Sequence, residues 1–169
     1  MSAKDVSHLH TDLNRHDRLL QELQHDPYHA KLKLKEPTVC TECGAVFHKG
    51  RWSWADVPAG AHQALCPACH RIHDEIPAAF LTLRGAFLSG HRDEILHLAR
   101  HLEERERAEH PLKRIMAVEE SAGEIRLSFT EAHLARNIGE AVRDAYKGEL
   151  DYHYADEDIM LRVTWTRDS

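Results

Sequence analysis

The chain has 169 residues, of which 42% are hydrophobic, and it carries a formal net charge of −6 at pH 7. This length suffices for one or two small domains with a buried core. The negative charge disfavours a protein that coats nucleic acid by bulk electrostatic attraction. The sequence begins without the apolar segment of a signal peptide and has no apolar run of transmembrane length, so we expect a cytoplasmic protein without membrane contact.

Residues 1–36 form a polar N-terminal extension. Within it, leucines at helical spacing predict a short helix over residues 12–23. Lys31, Lys33 and Lys35 then alternate with leucines, which is typical of a strand with one basic face.

All four cysteines lie in two C-x-x-C pairs, Cys40–Cys43 and Cys66–Cys69. A two-residue spacing lets one tight turn direct two thiolates at the same ion, and a second turn can complete a tetrahedron. We therefore predict a four-cysteine zinc site in a zinc-ribbon or treble-clef-like module that spans residues 37–90. Glycines, prolines and tryptophans between the pairs fit short strands and turns packed around a metal.

Other interpretations of these cysteines remain open. The pair Cys66–Cys69 followed by His70 matches the attachment motif of c-type haem, but this would leave the first pair without a role. A redox-active pair usually accompanies a βαβ pattern, and disulfides are rare in a reducing compartment. One of three nearby histidines could also replace a thiolate: His62, His70 and His73.

The segment after the second pair predicts a strand or hairpin over residues 80–88, interrupted at Gly85. A connecting helix follows in residues 91–110, with an apolar stripe and Ser89 or its neighbours as the N-cap. Its charged end is typical of a solvated helical face.

Residues 111–169 predict a ββαββ domain. Two strands are expected over residues 112–119 and 125–129, and a helix capped by Thr130 follows. Two further strands are expected over residues 150–154 and 159–165, joined by an acidic turn at residues 156–158. The predicted fold class is therefore α+β, with the metal module followed by this small domain.

Several segments resemble an uncharacterised bacterial zinc-finger family over nearly the whole chain. They are Asp26-Pro27-Tyr28, Glu36-Pro37-Thr38-Val39-Cys40, Gly50-Arg51-Trp52, Cys66-Pro67-x-Cys69-x-Arg71 and His110-Pro111-Leu112-x-Arg114-Ile115. More distantly, a two-pair zinc module followed by an α/β domain resembles the N-terminal part of the archaeal and eukaryotic adaptor that binds the large ribosomal subunit. The resemblance implies association with the ribosome or with RNA.

Basic residues and tryptophans interleave around the metal module, a pattern that suits RNA. The candidate partner-binding residues are Lys31, Lys33, Lys35, Lys49, Arg51, Trp52, Trp54 and Arg71, with Arg126 and Arg162 on the outer face of the C-terminal sheet. The alternative is that the tryptophans pack over the metal and that the lysines and the outer sheet face are merely solvated.

No catalytic motif is present: every cysteine is committed to the pairs, and the sequence contains neither G-x-S-x-G nor a phosphate loop. Four thiolates leave zinc no open position for substrate. We therefore expect a non-catalytic zinc-binding factor that associates with the ribosome or ribosomal RNA and has no small-molecule substrate. The alternative is a zinc-stabilised module that binds a protein partner.

Overall fold

The computed structural model describes residues 34–154 and 160–169, which belong to one compact unit. These residues form three helices and two mixed sheets, so the α+β class is confirmed. The predicted helix over residues 12–23, Lys31, Lys33 and the acidic turn at residues 156–158 lie outside the described residues.

The first sheet is built from short strands around the cysteines. Its strands are β1 (Thr38–Cys40), β2 (Val46–His48), β3 (Arg51–Ser53) and β4 (His62–Ala64), arranged in the order β3-β2-β1-β4. The first three pair as an antiparallel meander, whereas β4 runs parallel to β1. Helix α1 (Pro67–Asp74) follows β4 directly.

The second sheet has five strands and spans the rest of the described chain. They are β5 (Ala79–Arg84), β6 (Ile115–Ser121), β7 (Glu124–Phe129), β8 (Glu149–Tyr154) and β9 (Leu161–Thr166), in the order β6-β7-β5-β9-β8. Strands β5 and β9 are parallel, and the other neighbours are antiparallel.

Two helices pack against this sheet and each other: α2 (Ala86–Glu109) and α3 (Ala132–Tyr146). Alternate residues of the three central strands are fully buried against them, including Leu81, Leu127 and Val163. The period of two in the strands and the apolar stripe of α3 therefore define one core.

The ββαββ order is present as β6-β7-α3-β8-β9, but the sheet contains a fifth strand. Strand β5 lies between β7 and β9, so residues 80–84 belong to this sheet and not, as predicted, to the metal-binding module. The sheet therefore requires a strand from before the connecting helix, because β5 supplies hydrogen bonds to both halves.

Two helix starts differ from the prediction. Helix α2 begins at Ala86, with Gly85 at the N-cap and no side-chain cap, so residues 86–88 are helical. Helix α3 is capped by Glu131, whose carboxylate accepts from His133 N and Leu134 N. Thr130 is not the N-cap, because its hydroxyl is engaged with the main chain of the turn before β6.

Candidate metal centre

The four cysteines come from two local structures. Cys40 is the last residue of β1, and Cys43 lies in the turn before β2. Cys66 is the N-cap of α1, and Cys69 lies in its first turn. The turn and the helix start therefore each present one C-x-x-C pair.

The local sequence explains both arrangements. Gly44 has a φ of +79°, which a glycine adopts without strain, and Cys40 N donates to Ala45 O across the turn. Pro67 occupies the first turn of α1, where its missing N–H costs no helical hydrogen bond. The Cys66 sulfur then accepts from Cys69 N at 3.3 Å, as an N-cap side chain does.

The sulfur atoms converge on one point. The Sγ atoms of Cys40, Cys43, Cys66 and Cys69 all lie within 4.8 Å of one another. Sγ of Cys43 and Sγ of Cys66 are 3.8 Å apart, well beyond the length of a disulfide bond, and all four thiols are free. The four cysteines are therefore placed to hold one metal ion.

The protein environment shifts the thiol pKa values of Cys40, Cys66 and Cys69 in different directions. Burial raises the pKa of Cys40, but hydrogen bonds from the main-chain N–H groups of Cys43, Cys66 and Glu42 outweigh it and lower that pKa to about 6. Burial and the neighbouring cysteines raise the pKa of Cys66. Burial also raises the pKa of Cys69, with the guanidinium of Arg114 acting in the opposite direction. Because the thiolate is the form that binds metal, metal binding must displace protons from the buried pair.

Arg114 links the cysteines to the five-stranded sheet. It is only 6% exposed, and its Nη1 and Nη2 donate to the sulfurs of Cys69 at 3.3 Å and Cys66 at 3.4 Å. Its Nε donates to Pro111 O at 2.9 Å, and its main-chain N donates to Thr130 Oγ1 at 2.9 Å. Burial lowers the pKa of Arg114, but the sulfurs outweigh this and raise it, so the guanidinium remains charged.

The sequence pattern indicates no role for Arg114. The residue was visible within the segment from His110 to Ile115, but it lies forty-five residues from Cys69 in the chain. Local spacing identifies pairs that share a turn, whereas contact over such a distance depends on how β5 and α2 fold back on the cysteines.

The predicted alternative ligands do not join the sulfurs. Among the described residues, the cluster that could hold a metal contains four cysteines and no histidine. His62 is exposed on β4, and Nε2 of His73 lies 3.3 Å from a carboxylate oxygen of Glu42. The ligand set suggested by the cysteine spacing is therefore the one that the fold assembles.

The two predicted stacking tryptophans have different surroundings. Trp52 packs against the buried cysteine cluster and lies 5.5 Å from the ring of Phe47. Trp54 is 39% exposed, and its indole Nε1 donates to the carbonyl of Arg107 at 2.6 Å. Trp52 therefore contributes to the interior of the module, whereas part of Trp54 is accessible.

The predicted basic residues also differ in their exposure to solvent. Lys35, Lys49 and Arg51 are exposed, and the carboxylate of Glu36 accepts from Lys49 N and Gly50 N. This contact brings the segment before β1 to the turn between β2 and β3, so the three basic residues belong to one region.

Arg71 is different from these three residues. It is only 6% exposed and donates to Ile76 O at 3.0 Å, just beyond the end of α1. This places Arg71 in the interior rather than on a contact surface.

Arg126 and Arg162 lie on the outer face of the five-stranded sheet, as expected. Their guanidinium carbons stand 4.9 and 5.3 Å from the centre of the Phe80 ring. Arg126 also donates to Glu119 at 2.8 Å. Both arginines therefore have partners within the sheet surface.

No protein-family model matches the chain, and neither the curated proteins nor the solved structures contain a significant match to it. Within the described ranges, none of the helices combines the length and apolar character needed to cross a bilayer.

Proposed function

We propose that Cys40, Cys43, Cys66 and Cys69 bind one structural zinc ion. The observation that carries this proposal is the convergence of their sulfurs within 4.8 Å. Zinc–sulfur bonds of about 2.3 Å in a tetrahedron separate the sulfurs by about 3.8 Å. The sulfurs of Cys43 and Cys66 have this separation, at 3.8 Å. Four thiolate ligands are typical of structural zinc sites, and zinc has no redox chemistry of its own.

The arrangement supports a treble-clef-like module over a zinc ribbon. In a zinc ribbon both ligand pairs lie on turns between strands, whereas a treble clef takes its second pair from the start of a helix. Here the second pair begins α1. Four protein ligands leave zinc no open position for a substrate or water, which supports a non-catalytic role.

Metal analysis of protein purified without added chelator tests the zinc proposal. We expect one zinc ion per chain in the parent and a loss of zinc in Cys66→Ser, whose side chain is buried in the cluster. Ala45→Ser, a buried neighbour that supplies no ligand, serves as the control. Substoichiometric zinc in the parent, or full zinc in Cys66→Ser, would contradict the proposal.

We further propose that the zinc-bearing protein is a factor that binds the ribosome or structured RNA. Support comes from Lys35, Lys49 and Arg51, which form an exposed basic region at the edge of the metal-binding module, and from the accessible part of Trp54. Exposed cations can contact phosphates, and an accessible indole can stack on an unpaired base. The resemblance to the ribosome-binding adaptor points to the same class of partner.

A charge-matched pair of variants tests this second step. The first changes Lys35, Lys49 and Arg51 to glutamine, and the control changes the exposed Arg100, Arg105 and Lys147 to glutamine. We expect the parent and the control to sediment with ribosomal particles in a sucrose gradient and the first variant to shift toward free protein. The salt dependence of binding should also flatten in the first variant, since each lost phosphate contact removes one counterion release. Equal binding of the two variants would contradict a role for this region.

A protein partner is the second candidate, and exposed apolar side chains favour it. Val57, Ile72 and Ile76 are 55%, 40% and 47% exposed, respectively. Large apolar side chains that are exposed to water can be buried by a protein partner, and their burial is favourable. The partner is a protein if two results are obtained together. Serine at these three positions should abolish co-sedimentation with ribosomal particles, and the variant with glutamine at Lys35, Lys49 and Arg51 should still co-sediment with its partner after nuclease treatment.

A further inference from the structure

Arg114 is a buried cation directed at one half of the cysteine cluster. Both of its terminal nitrogens donate to sulfurs of the second pair, Cys66 and Cys69. Of the four cysteines, Cys43 in the first pair is partly exposed, whereas the other three are buried. The centre is therefore asymmetric in both charge and access.

The charge of a zinc-loaded centre favours a cation close to the sulfurs. A divalent ion with four thiolates carries about two net negative charges, and burying uncompensated charge is unfavourable. The guanidinium of Arg114 adds one positive charge in hydrogen-bond contact with two of the sulfurs. Partners outside the ligand set commonly tune metal affinity in this way.

Arg114 is held in place by hydrogen bonds from both its side chain and its main chain. Arg114 Nε donates to Pro111 O, and its main-chain N–H donates to Thr130 Oγ1, while Thr130 N donates back to Arg114 O at 3.0 Å. The orientation of the guanidinium is thus fixed by the turn before β6 and the end of β7. A planar guanidinium with a fixed orientation can donate to two sulfurs at once in a defined geometry. The ammonium group of lysine has no such planar pair of donors.

Taken with the proposed zinc site, on which this inference rests, we propose that Arg114 is a positioning residue for the metal centre. It holds Cys66 and Cys69 as the pair that retains the metal and leaves Cys43 as the ligand through which zinc is exchanged. A hydrogen bond to a thiolate withdraws charge from sulfur and lowers its reactivity toward electrophiles. The accessible Cys43 is the sulfur that an electrophile or a competing chelator meets first.

Two readouts on the zinc-loaded full chain test this role. The first is the rate at which zinc passes to a coloured chelator. The second is the order in which the cysteines react with N-ethylmaleimide, located by peptide mass spectrometry. In the parent, Cys43 should react first. In Arg114→Gln, labelling of Cys66 and Cys69 should rise, and zinc affinity should fall by about 10–100-fold.

Two further variants separate this role from a loss of folding. Arg114→Lys keeps the charge but loses the planar pair of donors. We expect its rate of zinc release, and the labelling of Cys66 and Cys69, to lie between those of the parent and Arg114→Gln. Arg71→Gln removes another arginine that is 6% exposed, one that donates to Ile76 O. It should lower thermal stability without changing the order of labelling.

The outcomes distinguish this inference from the zinc proposal. A parent protein without zinc defeats both. A parent with one zinc, combined with unchanged release rates and labelling order in Arg114→Gln and Arg114→Lys, overturns the role of Arg114 alone. The same change of labelling order in Arg71→Gln and Arg114→Gln overturns it too, since the effect would then follow from general destabilisation.

Discussion

Trp54 replaces a hydrogen-bond donor that α2 cannot supply for itself. The carbonyl of Arg107 belongs to the last turn of the helix, and its regular partner would be the N–H of residue 111. That residue is Pro111, which has no N–H. The indole of Trp54 donates to the Arg107 carbonyl at 2.6 Å instead, so the cysteine module closes the end of α2.

The first prediction concerns this contact. Trp54→Phe keeps an aromatic ring but removes the donor, and we expect it to lower the free energy of unfolding by about 1 kcal/mol. Urea unfolding followed by far-UV circular dichroism measures the change. Phe47→Leu, on strand β2 of the neighbouring sheet, controls for altered aromatic packing. A Trp54→Phe protein as stable as the parent would show that water satisfies the carbonyl equally well.

The second prediction compares two glycines that flank the start of α2. Gly85 has a φ of +108°, and a β-carbon there would lie 2.1 Å from the carbonyl oxygen of Arg167. The backbone conformation alone should cost Gly85→Ala about 1–3 kcal/mol, and the clash adds to this. Gly90 lies within the helix, and apart from its chain neighbours and the nearby helix backbone no atom lies within 4 Å of an added β-carbon, so Gly90→Ala should stabilise by about 0.5–1 kcal/mol. Thermal melts of both variants check the opposite signs, and destabilisation of equal size in both would contradict the prediction.

The third prediction concerns the central strand β5. Leu81 is fully buried between the sheet and the helices, so Leu81→Ala should lower stability by about 2–5 kcal/mol. Thr82 is its neighbour on the opposite face, and Thr82→Ala should cost about 1 kcal/mol or less. A fragment of residues 112–169 lacks β5 and should not fold alone. Dispersed amide signals from that fragment would show that the four remaining strands suffice.

The fourth prediction is a pH effect at Tyr152. Burial and the carboxylate of Glu140, which accepts from the hydroxyl at 3.0 Å, raise the pKa of Tyr152 to about 12. The ordinary tyrosine pKa is about 10. The folded state therefore holds this proton more tightly than the unfolded state, and the resulting stability is present below pH 10 and lost as the pH rises toward 12.

Absorbance of the phenolate during an alkaline titration measures this effect. Tyr152→Phe should remove one phenol ionisation that occurs above the ordinary tyrosine pKa. Burial also raises the pKa of Tyr154, so the control Tyr154→Phe should remove a different ionisation and leave that of Tyr152 in place. Ionisation of Tyr152 near its ordinary pKa would contradict the prediction.

The sequence was most informative where structure is local. Cys40 and Cys43 share one turn, and Cys66 and Cys69 share the start of one helix, so spacing alone predicted their convergence. The strands around Leu127 and Val163 were equally readable, since alternation reports burial on one face.

Tertiary contacts account for what the sequence did not predict. Thr130 has the side chain of a preferred N-cap, yet the turn at residues 111–114 uses its hydroxyl, and Glu131 caps the helix instead. Strand β5 was separated from its partners because α2 intervenes in the chain. The role of Arg114 arises only when that helix brings the start of β6 to the sulfurs.

The parallel pairing of β5 with β9 affects how the chain folds during translation. Ala79 pairs with Leu161, so the two central strands are separated by most of the domain in sequence. β9 is synthesised after the other eight strands of the described residues, and until then one edge of β5 is unpaired. An unpaired apolar edge is a template for intermolecular association, and closure over such a long loop is slow. The nascent protein is therefore most exposed to aggregation in the interval before β9 is made.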